Sequence, residues 1–81
     1  MKKRVEAVVY TGRKCPWCAK VIQELANNNF KVEVIPIKLN REALTKLGKL
    51  GLNTVPQVFI EDVHIGGYEE TKEFLKELQE V

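Results

Sequence analysis

The 81-residue chain predicts a single α/β domain in the order βαβαββα, a four-stranded mixed sheet flanked by three helices. Three observations carry this. An apolar, β-branched run at residues 5–10 is followed by Cys18, Val21, Ile22 and Leu25, which fall at the i, i+3, i+4, i+7 spacing of one helical stripe. A second strand-like run at 31–37 then returns the chain, so a helical crossover joins the first two strands and they should lie parallel. Further on, the short apolar runs 57–60 and 63–65 are separated only by Glu61-Asp62, which reads as an antiparallel hairpin.

Each element has a local signal. Residues 5–10 are apolar enough for a central strand buried on both faces. Residues 11–14 form a loop with Gly12 as its flexible point. The first helix runs from Pro16 to about Asn27, and Asn27-Asn28-Asn29 ends it. Pro36 lies near the end of the second strand. Asn40 is the expected N-cap of a helix from Arg41 to about Leu50. Leu44 and Leu47 form its inner face, and Gly51 is placed to end it. Thr54-Val55-Pro56 leads into the third strand. The Glu61-Asp62 turn lacks the glycine such hairpins favour, and Gly66-Gly67 breaks the fourth strand. The last helix is expected from about Glu69 to Glu80, burying Thr71, Phe74, Leu75 and Leu78.

Composition narrows the class. Hydrophobic residues make up 44% and charged residues 30%, as in ordinary globular domains. The net charge of +2 is too small to argue for nucleic acid, and the basic residues alternate with Glu along the helices as solvated faces do. No apolar run approaches the ~20 residues that span a bilayer. Met1-Lys2-Lys3-Arg4 is basic, but a strand rather than a long apolar segment follows, so no signal peptide is expected. The expectation is a cytoplasmic monomer with no nucleic-acid or membrane partner.

The two cysteines of the chain form Cys15-Pro16-Trp17-Cys18, at the opening of the first helix. The first N–H groups of a helix lack intrahelical partners and carry partial positive charge. A thiolate at the N-cap, Cys15, would be stabilised by them. Pro16 at the first helical position presets φ and removes an orphan N–H. Arg13 and Lys14 add positive charge beside the sulfur. Cys18 falls on the apolar stripe and points inward. This is the pattern of a thiol–disulfide redox centre.

Three other readings stand beside it. A structural disulfide would close so short a loop that it would constrain little of the unfolded chain. A zinc site wants four ligands, and the chain offers Cys15, Cys18 and the lone His64, so no metal is expected. Buried inert thiols are common in cores. Tyr10 reads as core or rim packing, and His64 as a surface strand residue.

Three stretches carry a family resemblance: Tyr10-Thr11 leading to the CPWC motif, Thr54-Val55-Pro56-Gln57-Val58-Phe59-Ile60, and His64-Ile65-Gly66-Gly67-Tyr68. Together they resemble the glutaredoxins, of minimal thioredoxin-like fold, over nearly the whole chain. The resemblance implies a cis Pro56 against the CxxC, a bend that is uncommon and usually functional. Val55 would then pair through its backbone with an extended thiol substrate, as a short strand would.

It also implies a glutathione groove. Trp17, Thr54, Val55 and Pro56 would line it, with Val55 against the cysteinyl backbone. Gly67, Tyr68 and Glu69 would sit near the γ-glutamyl carboxylate, where helix N-terminal N–H groups receive anions. Two departures from the family stand out. Glu69 and Glu70 occupy positions where Asp is common after the Gly-Gly pair, and three readings stand for them: they meet the γ-glutamyl ammonium, they oppose its carboxylate, or they simply favour the helix start. Gly12 stands where relatives carry a cation three residues before the first cysteine. Arg13 and Lys14 are the substitutes, with Lys38 and Arg41 as more distant partners for the glycyl carboxylate.

The implied activity is a dithiol glutaredoxin. Cys15 attacks and Cys18 resolves. Glutathione is the reducing co-substrate, and no tightly bound cofactor is needed. Disulfide-containing proteins are the substrates, ribonucleotide reductase among those the family suggests. Two alternatives remain: a glutaredoxin-like electron donor reduced by thioredoxin reductase, and a non-enzymatic binding module or iron–sulfur cluster carrier.

Overall fold

The computed structural model describes residues 5–79; the basic start, Met1-Lys2-Lys3-Arg4, and Glu80 at the expected end of the last helix lie outside the described residues. The order is β1 (Glu6–Thr11), α1 (Pro16–Asn27), β2 (Lys31–Pro36), a 3-10 turn (Ile37–Leu39), α2 (Arg41–Lys49), β3 (Gln57–Ile60), β4 (Val63–Gly66) and α3 (Tyr68–Gln79). One mixed sheet has the strand order β2-β1-β3-β4. β1 runs parallel to β2 and antiparallel to β3, and β3 pairs antiparallel with β4. This is a thioredoxin-like α/β fold, as the sequence predicts.

Strand alternation divides the core in two. Ala7 and Val9 of β1 share a face with Val58 and Ile60 of β3, and pack under Val21 and Leu25 of α1 and Leu75 of α3. Tyr10 and Phe59 point to the other face, where Ala43 and Leu47 of α2 cover them. Burying both faces explains why β1 has no polar alternation inside it.

Both α1 and α2 end in the same motif. After α1, Asn29 takes φ +66°, and the Phe30 and Asn29 N–H groups return to the Leu25 and Ala26 carbonyls. After α2, Gly51 takes φ +73°, with Leu52 and Gly51 bonded to Leu47 and Gly48. These 6→1 and 5→2 bonds satisfy carbonyls that would otherwise be orphaned. Asn40 caps α2 as expected, its Oδ1 accepting from the Ala43 N–H at 3.0 Å.

The structure corrects several boundaries and faces. Ile37 leaves β2 for the 3-10 turn. α2 turns Ala43 and Leu47, four residues apart, to the sheet, so Leu44 faces outward and is 54% exposed. Leu78 of α3 is likewise 50% exposed, because Thr71 and Leu75 already set that helix's buried line. Gly66 belongs to β4, and α3 begins one residue early, at Tyr68. The Glu61-Asp62 turn forms without glycine, both residues taking positive φ, 49° and 67°, as a two-residue turn of the I′ kind demands. Among the described residues no helix is long and apolar enough to cross a membrane.

Candidate active site

Cys15 is the N-cap of α1, with extended backbone at φ −111° and ψ 92°. Its carbonyl accepts from the Cys18 and Ala19 N–H groups, and its sulfur accepts from the Cys18 N–H at 3.1 Å. The helix terminus therefore donates directly to the sulfur that the sequence assigns as nucleophile. Pro16 sits at the first helical position. Cys15 and Cys18 are joined as a disulfide, with Cα atoms 5.2 Å apart. Cys18 is buried, and Cys15 is partly exposed. The asymmetry is geometric: one sulfur lies where a substrate can reach it, the other behind it.

A groove of about 240 Å³ is lined by Trp17, Thr54, Val55, Pro56, Gly67, Tyr68, Glu69 and Glu70. Residues from three separate stretches of chain meet here. Trp17, half exposed, rests against the Tyr68 ring with centroids 5.1 Å apart. Lys20 Nζ lies over the Trp17 ring, 4.7 Å from its centroid. The Val55–Pro56 peptide bond is cis. Gly12 approaches Val55 so closely that a Cβ on it would fall 2.9 Å from Val55 Cγ2. Among the described residues, no protein donor or acceptor reaches the Val55 N–H or C=O.

At the other wall, Gly67 caps α3, its carbonyl accepting from the Thr71 N–H. Glu70 Oε1 reaches back to accept from the Gly67 N–H at 2.7 Å. This is the reciprocal half of a capping box. The first N–H groups of α3 after the cap have no partner inside their helix.

Most of the expected site residues thus converge: Trp17, Thr54, Val55, Pro56, Gly67, Tyr68 and Glu69 share one groove. Arg13 and Lys14 do not line it; both side chains are exposed, and Lys14 takes φ +47° in the loop. Lys38 and Arg41 lie at the α2 end of the molecule, where Arg41 lines a separate surface depression beside Lys46 and Lys49. The Glu70 carboxylate serves the α3 cap, accepting from the Gly67 N–H.

Sequence reasoning missed two side chains. Lys20 stands three residues after Trp17, a spacing that makes helical neighbours. Gln57 is buried beside the groove, a polar residue in an otherwise apolar strand. Tyr10 is core, as expected, with its hydroxyl accepting from Lys46 Nζ at 3.3 Å. His64 is an exposed strand residue, and its ring packs beside Phe59.

A family model described as glutaredoxin matches residues 7–65, a span that holds the CxxC, the Thr-Val-Pro segment and the hairpin. The chain belongs to the glutaredoxin family. Glutaredoxin 1 of Rickettsia typhi is 38% identical over 64 residues, 74% of this chain and 61% of that one, so the match spans less than two thirds of that relative's length. Glutaredoxin 3 of Escherichia coli K12 is 37% identical over 62 residues, covering 73% of this chain and 72% of that one. The crystal structure of glutaredoxin 1 from Francisella tularensis, complexed with cacodylate, superposes with a TM-score of 0.71 at 27% identity, over 95% of this chain and 99% of that one. As a glutaredoxin with its CxxC pair intact, this domain is a thiol–disulfide oxidoreductase.

Proposed function

We propose that this glutaredoxin is a glutathione-dependent dithiol enzyme that reduces protein disulfides and glutathione mixed disulfides in the cytoplasm. The observation that carries the reading is the groove lined by Trp17 of the CxxC motif, with the unpaired Val55 peptide on one wall and the α3 N-terminus on the other. A cysteinyl backbone lying extended can add to Val55 as a strand adds to a sheet edge. A carboxylate is favoured at the first N–H groups of α3.

The reaction then proceeds as two thiol–disulfide exchanges. The Cys15 thiolate attacks one sulfur of the substrate disulfide; that S–S bond breaks, and the first thiolate leaves. The Cys18 thiolate attacks the Cys15 sulfur, forms the Cys15–Cys18 disulfide and expels the second thiolate. Both leaving thiolates take up protons. The pair loses two electrons and the substrate gains them. Two glutathione thiols return the pair to its reduced form and leave as glutathione disulfide. No tightly bound cofactor enters, and one chain suffices. Disulfide-containing proteins, ribonucleotide reductase included, form the second substrate class.

One observation favours a second reading, reduction by thioredoxin reductase. Among the described residues, the groove lining contains Glu69 and Glu70 and no Lys or Arg, and Gly12 supplies no cation. Turnover coupled to glutathione and its reductase, run beside turnover coupled to thioredoxin reductase, tests the choice. The glutathione-coupled rate should be far higher. Equal or reversed rates would overturn the proposal.

A further inference from the structure

Residues 53–55 join the C-terminal motif of α2, which ends at Leu52, to Pro56, and they carry the free Val55 peptide. Among the described residues, the only hydrogen bonds on this bridge come from one buried side chain. Gln57 Nε2 donates to the Thr54 carbonyl and to Thr54 Oγ1, both at 3.1 Å. On its other side, Gln57 Oε1 lies 2.8 Å from His64 Nε2. The Thr54 carbonyl can only accept, so the amide nitrogen of Gln57 must face it. The amide oxygen then faces His64, which makes Nε2 the protonated ring nitrogen. His64 is held in turn by its packing on Phe59, ring centroids 5.0 Å apart.

We propose that Gln57 is a positioning residue for the redox reaction. By gripping Thr54 at two points it presents the neighbouring Val55 peptide to an extended thiol substrate, and His64 locks the orientation of the Gln57 amide. Gln57 touches neither the reacting sulfurs nor the substrate. Its loss therefore weakens the docking of substrate and leaves the exchange at Cys15 intact. The inference rests on strand-like pairing at Val55, and is independent of which reductant regenerates the enzyme.

The test is single-turnover oxidation of the pre-reduced protein by the symmetric disulfide of a short cysteine peptide, followed by mass. Neither glutathione nor a reductase is present, so failure of the glutathione reading leaves this assay unaffected. Gln57→Leu should raise the half-saturating peptide concentration about ten-fold, the scale of losing two modest hydrogen bonds. The maximal rate should stay within about two-fold, since the exchange chemistry is untouched. His64→Ala, at an exposed position that folding tolerates, should shift half-saturation the same way by a smaller factor. The double variant should match Gln57→Leu alone, because members of one network are not additive. Unchanged half-saturation in His64→Ala, a fall in maximal rate alone, or independent addition of the two effects would each overturn the proposal.

Discussion

Gly12→Ala separates site geometry from stability. The new Cβ would meet Val55 Cγ2 at 2.9 Å, whereas ordinary contact begins near 3.4 Å, so Val55 must give way by about 0.5 Å. Val55 is β-branched, and its χ1 rotation is restricted. The displacement therefore passes to the Val55 backbone, the group that pairs with substrate in the proposed mechanism. A misplacement of about 1 Å in a catalytic arrangement can cost ~10²-fold, and half of that distance suggests about ten-fold in kcat/KM. Stability should change little. Overpacking costs about 1–3 kcal/mol, at the lower end in this partly exposed loop, while replacing glycine by alanine at an ordinary φ gains about 0.4–1 kcal/mol through the unfolded chain. The assay is kcat/KM for a glutathione mixed disulfide, with the thermal midpoint measured alongside. Val55→Ala removes the clashing methyl and keeps the backbone, so the double variant should recover activity to near that of Val55→Ala alone. Full activity in Gly12→Ala, or no recovery in the double variant, would refute the reasoning.

Other outcomes follow from the same geometry. Glu70→Ala removes the acceptor of the Gly67 N–H and should cost about 1 kcal/mol, a midpoint drop of ~4–8 °C for a domain this small. Glu69→Ala should shift the midpoint far less, and equal drops would refute the capping role. Leu25→Ala, at a fully buried side chain, should cost about 2–5 kcal/mol in denaturant unfolding, whereas Leu44→Ala should stay within about 0.5 kcal/mol; a large Leu44 effect would contradict its outward face. Cys18→Ser should retain removal of glutathione from mixed disulfides, lose reduction of protein disulfides, and accumulate as a Cys15–glutathione adduct visible by mass. Cys15→Ser should lose both activities, and the reverse pattern would exchange the two roles.

The redox pair was legible because its logic is local. Cys15 at an N-cap, Pro16 at the first helical position and Cys18 on the buried stripe all follow from one helical turn. The Gly-Gly pair and the Thr-Val-Pro segment were legible through the family resemblance, and the groove gathers both. Arg13 and Lys14 were legible only as charge next to Cys15 in sequence, which does not decide direction; the loop, with Lys14 at positive φ, leaves both exposed and off the groove lining. Leu44 and Leu78 were misread for a related reason. Short amphipathic helices offer more than one apolar line, and only the sheet beneath selects which line is buried. The capping role of Glu70 was hidden because its N-cap is Gly67 rather than the Ser or Thr of the usual capping box.

By itself, the sequence determined the elements, their order, the parallel crossover of the first two strands, the hairpin and the CxxC at a helix tip. These rest on periodicity, capping and turn chemistry, which act over a few residues. Tertiary structure decided the strand order β2-β1-β3-β4, which places β3 against β1 and so brings Val55 and Pro56 into one groove with Trp17 of the CxxC motif. It decided that Gly12 must be small, that Gln57 serves Thr54 and His64, and which helix faces are buried. Those outcomes depend on contacts between segments distant in the chain, where burial and shape complementarity select among arrangements that local preference leaves equivalent.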